Sequence, residues 1–556
     1  MSLDPGTVWR YEVRATDVDT GVDVAHAGAG DAEGADAASR GAGGATDRAG
    51  DPAFPTSFDQ RRHCAPGTRP GTWMALSFPV AGAGPALRDR VAAAWMDVIA
   101  RHGTLRTVVN PDARSLTPVE VTGLGWSRAT PLGAATGAPG ATTAAPGATG
   151  PSPTDPRTAA PGATGPSPTD PRTVLRGIFD TACEPFARPS HALCLVEHPP
   201  AATAAGAAPA ATAATDTPHD ADAPTDAPAP ARSTVVVGMD HSHTDAWSLR
   251  VLLRDLAVLL HDPDAPLPPA PSFTEHTRDL LTRPPAPEEV HARWRHILDV
   301  GDGGMPVFPL ALGLDAAPGE PDAAGAAPGE PDAAAGAAAP GEPDAAADTA
   351  AGPGSGADRG DDVVDIHRIL DPAGVTALEA AARAAGVRPI ALAVSAMTAV
   401  TQRMSGQPLR AVFPVHSRRG PDSDPARWQN SVGWFITNSV LECTSTDPEE
   451  CADAVRAAVR LGGHPLAPIL DPSGEDPCGG MPNTRGMFAL SWLDNRRLPV
   501  AVPASADVDG VMVWFVLDDT GLTLRCRYPD TPTARRTAGA WTLAVRDAVA
   551  DAAAGA

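Results

Sequence analysis

Two carboxylates and two imidazoles fall within a single short stretch, MDHSHTDAWS, as Asp240, His241, His243 and Asp245. An imidazole with its ordinary pKa of about 6.5 is neutral enough at physiological pH to take a proton from a hydroxyl, so either histidine is a candidate general base. The HxxxD spacing of His241 and Asp245 is short enough to recur by chance, and two plainer roles fit the same residues. Asp240 or Asp245 can cap a following helix, with the histidines merely solvated. Alternatively, His241 and His243 share a strand face at i and i+2 and bind a metal with Asp245. No further His, Cys or Asp cluster offers a third and fourth ligand, so no metal site is expected.

Such groups act only when rigid elements hold them. Residues 234–237 are apolar or β-branched and read as a strand. After a tight turn, Leu249, Leu252, Leu253, Leu256, Leu259 and Leu260 recur at helical spacing and give one apolar face. The motif therefore sits where a strand passes into a helix. Before it, residues 8–14 alternate as a strand, 57–63 can cap a helix, 72–80 form a strand, 87–101 a helix and 104–109 a strand. A helix over 174–186 and a strand over 191–198 follow. Beyond it lie a helix at 288–300, a strand at 363–369, helices at 373–385 and 390–404, and a strand at 409–415 ending at HSRR. Next come a strand at 432–441, a helix at 449–461, strands at 487–493, 511–517 and 522–528, and a closing helix at 533–552. Strands and helices mix without strict alternation, which predicts an α/β or α+β layered fold.

Composition narrows the chemistry. The 556 residues contain no lysine, so all 43 basic residues are arginine. Lysine Schiff bases, pyridoxal-phosphate anchoring and the lysine-bearing phosphate loop are excluded. A net charge of −24 argues against a nucleic-acid partner. Residues 315–362 alone hold 11 acidic residues and one arginine, so the rest is far less acidic. The 7 cysteines are scattered without a CxxC pair, which fits a reducing cytoplasm. The N-terminus has no apolar signal core, and no run reaches the length of a membrane span.

Four stretches lack the apolar content for a core. Residues 25–50 are rich in Ala, Gly and Asp. Residues 129–173 carry AAPGATGPSPTDPRT twice in tandem, residues 199–231 are rich in Ala, Pro and Thr, and residues 316–360 repeat APGEPDAA three times. They read as disordered expansions of surface loops, which cost a fold little. The expected organisation is an N-terminal strand segment (1–24), a disordered stretch (25–50), an N-terminal subdomain (51–265, interrupted at 129–173 and 199–231) and a C-terminal subdomain (266–552, interrupted at 316–360).

MDHSHTDAWS resembles the MHHxxxDGWS signature of condensation domains and related acyltransferases, through Met239, His241, Asp245, Trp247 and Ser248. Other segments resemble that family in order: SFDQRRH (57–63), RHGTLRTVV (101–109), PVHSRR (414–419) and SVGWFITN (431–438). GWFITN and the terminal GLTLRCRYPDT favour the polyketide-associated, PapA-like branch, and the DFGWG sequence typical of the peptide-forming branch is missing. Asp240 stands where the family has its first His, Ala246 where it has Gly, and Thr437 where Asn is usual, with Asn438 one place on.

The resemblance implies two chloramphenicol-acetyltransferase-like subdomains in a V with a central tunnel. It implies acyl transfer from a thioester, acyl-CoA or a phosphopantetheinyl acyl-carrier protein, to a hydroxyl acceptor in lipid, glycolipid or polyketide biosynthesis. No cofactor is bound. His241 is then the general base. Asp245 is structural, orienting the motif loop by pairing with Arg418 or Arg419; Asp240, Ala246 and Trp247 support it. Gly433, Trp434, Phe435 and Asn438 are tunnel or crossover candidates, and His243 occupies a variable position. Arginine pairs 61–62, 418–419 and 496–497 are candidates to meet a donor phosphate. The alternatives are a free-standing condensation enzyme forming an amide and a non-catalytic docking protein of the same fold. A cytoplasmic monomer without a transmembrane segment is expected.

Overall fold

The computed structural model describes residues 5–18, 54–129, 170–199, 231–314, 362–418, 426–470, 484–496, 500–501 and 509–555. Nearly all of the four low-complexity stretches, together with Arg419 and Arg497, lie outside these residues. The first half contains β1 (Thr7–Asp17), α1 (Phe58–Cys64), β2 (Trp73–Ala81), α2 (Pro85–Arg101), β3 (Thr107–Val109), β4 (Leu116–Arg128), α3 (Pro171–Ala182), β5 (His191–Glu197), β6 (Arg232–Asp240), α4 (Ala246–His261), α5 (Phe273–Leu281) and α6 (Glu288–Val300). The second half contains β7 (Asp362–Leu370), α7 (Pro372–Ala384), α8 (Pro389–Ser405), β8 (Leu409–His416), β9 (Ile436–Cys443), α9 (Pro448–Leu461), α10 (Ala467–Leu470), β10 (Phe488–Asp494), β11 (Val500–Ala501), β12 (Val511–Asp518), β13 (Gly521–Pro529) and α11 (Pro532–Ala554).

These elements form the expected mixed α/β fold around two sheets. One has the order β11-β2-β6-β5-β1-β4-β3 and is antiparallel throughout. The other has the order β7-β13-β12-β10-β8-β9, with β10 parallel to both β8 and β12. The leucine face of α4 does what its spacing demands. Leu249, Leu252 and Leu256 are wholly buried against Val91 and Trp95 of α2 and Val237 and Met239 of β6. Each such leucine contributes about 1.5–3 kcal/mol, so β6 and α4 are anchored on both sides of the turn between them. In the other core Trp541 of α11 packs on Phe308 and Phe488 and donates to Thr401 Oγ1 at 3.1 Å.

Several local expectations change. Strand β1 is internal to the first sheet, between β5 and β4, rather than a separate segment. Residues 104–109 are not one strand: a 3-10 turn over Gly103–Arg106 precedes β3. Helix α3 begins at Pro171, inside the second copy of the tandem repeat, because Asp170 caps it and Pro suits the first helical position. Strand β9 starts only at Ile436, since residues 432–435 bond to side chains of the first half. Strand β4 and helix α5 were not expected. Strand β11, from the second half of the chain, pairs with β2 and covers the edge of the first sheet. Among the described residues no single helix is long and apolar enough to cross a membrane. The bent pair α7–α8, at 91°, buries its apolar residues in the second core.

Candidate active site

Strand β6 ends at Asp240, with its backbone fixed on both sides. Asp240 N donates to Ser190 O at 2.9 Å and His241 N donates to Thr72 O at 3.0 Å. The next three residues, His241–His243, form a 3-10 turn capped by Asp240, which accepts from Ser242 N at 2.8 Å. Asp245 then caps α4, accepting from Ser248 N at 2.6 Å. Both aspartates therefore cap, and the imidazole of His241 is held between two fixed backbone elements. His241 and His243 lie in a turn, not on a strand, so the same-face argument for a metal pair fails. His243 faces inward: Nδ1 meets Ser242 Oγ at 2.8 Å and Nε2 meets Thr107 O at 3.1 Å. Among the described residues no group of three or more His, Cys, Asp or Glu is placed to hold a metal ion.

His241 Nδ1 lies 2.7 Å from Thr244 O. A carbonyl only accepts, so Nδ1 carries the proton and Nε2 presents its lone pair. Nε2 meets no hydrogen-bond partner among the described residues. Burial pushes His241 below the ordinary histidine pKa, and the neighbouring His63 adds to the effect. Trp434, from the segment before β9, stacks on the ring with centroids 4.1 Å apart and planes at 26°. His241 thus lies where the two halves of the chain meet.

Asp245 is wholly buried. Arg418, also buried, is the arginine that reaches it, with Nη2 3.1 Å from Oδ1. Oδ2 accepts from Phe435 N at 3.0 Å. Burial alone would raise this carboxyl; the charges of Arg418 and His416 and the Ser248 bonds outweigh it and hold Asp245 below the usual range. Arg418 also donates to Trp428 O at 2.6 Å, Ser431 O at 2.8 Å and Ser248 Oγ at 2.8 Å, and its guanidinium lies 3.8 Å from the Phe435 ring centroid. Arg418 is thus an internal tie and not a phosphate-facing surface residue. Arg496 pairs with Asp494 at 2.6 Å and Glu379 at 2.8 Å.

Residues 428–435 are stitched to the first half by four further bonds, three of them to the motif helix. Ser248 Oγ donates to Gly433 O at 2.8 Å and accepts from Gly433 N at 3.0 Å; Trp247 Nε1 donates to Gln429 O at 3.0 Å; Thr104 Oγ1 donates to Val432 O at 2.6 Å. Gly433 has no room for a side chain, since a Cβ there would lie 2.3 Å from Phe273 Cγ. Phe435 is not a lining residue: it is wholly buried against Phe273 and His276, at centroid distances of 4.9 and 4.5 Å. Asn438 sits within β9, paired with Pro414 of β8. Ala246 opens α4 as its first residue.

A cavity of about 120 Å³ adjoins this junction. Its wall includes Asp59, Arg61, Arg283, Trp434 and Thr437, so Trp434 contacts both the cavity and His241. Burial pushes Asp59 up to about 6, although Arg62 and the Thr437 hydroxyl oppose this.

The structure adds residues that sequence reasoning left unassigned. Gln60 completes the capping box of α1 and donates to Ser242 O at 2.8 Å, tying α1 to the motif turn. His63, the last residue of SFDQRRH, places Nε2 3.1 Å from Asp240 Oδ1, and Thr72 Oγ1 donates to Asp240 Oδ2 at 2.6 Å. Burial would raise Asp240, but the neighbouring His63, charged only when protonated, and these hydrogen bonds hold it low. The signal for His63 was the carboxylate at position 240, which needs a polar partner when buried.

No protein-family model and no curated protein matches the sequence. Solved structures do match. A PapA2 acyl transferase superposes with a TM-score of 0.60 at 14% identity, covering 100% of this chain and 98% of that one. The condensation domain of the Monacolin K polyketide synthase MokA gives 0.53 at 13%, covering 90% and 97%. A structure of condensation domain-mediated chain release from the enacyloxin polyketide synthase gives 0.51 at 15%, covering 90% and 82%. The chain thus has the fold these proteins share.

Proposed function

We propose that the protein is an acyltransferase that moves an acyl group from a thioester to a hydroxyl acceptor, with His241 as general base. The observation that carries this reading is the fixed tautomer of His241. Nδ1 is tied to Thr244 O and Nε2 is unpartnered among the described residues, at the junction of the two halves. The shared fold with an acyl transferase and with condensation domains supports it.

In the reaction the acceptor's O–H proton passes to His241 Nε2 as its oxygen attacks the thioester carbonyl. The tetrahedral intermediate collapses, the C–S bond breaks, and the imidazolium returns the proton to the departing thiolate. No covalent acyl-enzyme is required. Asp245 and Arg418 hold the motif turn against the second half and take no part in proton transfer. The donor is acyl-CoA or a phosphopantetheinyl carrier protein, and the acceptor a small molecule or glycolipid of lipid or polyketide biosynthesis. The absence of lysine and the scattered cysteines fit direct transfer without a covalent acyl-enzyme.

The test is incubation of the purified chain with a panel of acyl-CoAs and alcohol acceptors, with ester read by mass spectrometry. Ester that disappears in His241→Ala is the expected result. Products only from amine acceptors would indicate an amide-forming enzyme instead, and unchanged transfer by His241→Ala would overturn the role of the base.

A further inference from the structure

Asp240 places a carboxylate where the resembling proteins have a histidine, and it is not idle. It is wholly buried, and His63 Nε2 lies 3.1 and 3.3 Å from its two oxygens. A carboxylate held ionised only accepts, so this ring nitrogen donates, and in the neutral form of His63 the other nitrogen, Nδ1, carries a lone pair. Among the described residues Nδ1 has no hydrogen-bond partner, and the side chain is 10% exposed. The ring stands edge-on to Trp434 at 5.0 Å, the same indole that stacks on His241, and its centroid is 6.0 Å from that of His241. Two imidazoles thus flank one indole. Each is fixed by a hydrogen bond at one ring nitrogen: His241 by the Thr244 carbonyl, His63 by the Asp240 carboxylate.

The reacting hydroxyl has one proton, and it goes to His241. A second fixed acceptor therefore needs a second donor. The thioester's reacting carbonyl has only lone pairs to offer, whereas an acceptor alcohol carrying another O–H or N–H supplies the bond. We propose that His63, positioned by Asp240, is a specificity-determining residue that accepts a hydrogen bond from a second O–H or N–H of the acceptor. This selects polyhydroxyl or amino-alcohol acceptors over simple alcohols. The proposal rests on the acyl-transfer reading and deepens it. A buried acceptor left unpaired by a simple alcohol disfavours that substrate.

The experiment compares matched acceptors, a 1,2-diol and the mono-alcohol lacking one hydroxyl, at one acyl-CoA. The wild-type chain is expected to favour the diol by roughly 10-fold in kcat/KM, the worth of one hydrogen bond to a fixed acceptor. His63→Phe keeps an aromatic ring beside Trp434 without the nitrogen, and the ratio is expected to collapse toward 1. His63→Gln, which restores an acceptor, regains part of the ratio. Asp240→Asn, which loosens His63, lowers it. Melting temperatures accompany each variant; should His63→Phe fail to fold, the Gln and Asn variants carry the comparison. A wild-type ratio near 1, or an undiminished ratio in folded His63→Phe, overturns the assignment alone. A wild-type chain that acylates neither acceptor from any thioester overturns the acyl-transfer reading and this assignment with it.

Discussion

In the proposed role of His241 as a base two things matter: which nitrogen holds the proton, and how readily the other gains one. Thr244 O settles the first. Burial and His63 settle the second by lowering its pKa, so the lone pair is free across neutral pH. Replacing His241 by Ala is expected to reduce kcat/KM by about 10²–10⁴-fold, the usual worth of a positioned base. The wild-type log(kcat/KM)–pH profile should rise on its acid side with a midpoint below the ordinary histidine value of about 6.5. A midpoint at or above that value in steady-state kinetics would argue against His241 as the titrating base.

At the scale of elements, the Asp245–Arg418 pair joins the start of α4 to the loop between β8 and β9. Both partners are buried, so removing one leaves the other charge uncompensated. Asp245→Ala or Arg418→Ala is expected to lower unfolding free energy by about 3–5 kcal/mol, measured by urea denaturation. The double variant should cost clearly less than the sum, because the two residues share one network. Gly433 is a second element-level constraint. Gly433→Ala forces a Cβ toward Phe273 and is expected to cost about 1–3 kcal/mol in the same measurement. If its midpoint matches the wild type, the close approach of the segment to α5 is refuted.

For the whole molecule, pH is the global lever. Burial pushes His191 and His276 down to about 4. In the unfolded chain both bind protons near 6.5, so between these values the unfolded state holds more protons and stability falls as pH falls. Asp59 acts oppositely: raised to about 6, it is protonated in the folded chain first, and its contribution is lost as pH rises from about 4 to about 6. Two histidines outweigh one aspartate. The melting temperature is therefore expected to drop progressively from pH 6.5 to pH 4, as scanning calorimetry would show. A flat or inverted dependence would contradict the buried, neutral state of these imidazoles.

How much of this was legible from the chain depends on the range of the forces involved. Short-range rules are written in sequence. The leucine spacing of α4 and the caps Asp240 and Asp245 follow from neighbours within a few positions, and the motif order marked His241. Long-range pairing is not written there. The sequence offered Arg418 and Arg419 equally, and chain geometry brought Arg418 inside to Asp245. Trp434 and Phe435 are adjacent and both aromatic, yet they point oppositely, one to His241 and one into the core. His63 and Asp240 are 177 positions apart, and only the pairing of β2 with β6, with α1 bonded to the motif turn, makes them neighbours. The sequence by itself determined most of the elements, the motif around His241 and the helix caps, because those rest on local spacing and backbone chemistry. The tertiary structure decided which charges meet, which aromatic faces His241 and which second imidazole lies beside the same indole, because each of these requires two distant segments to be packed together.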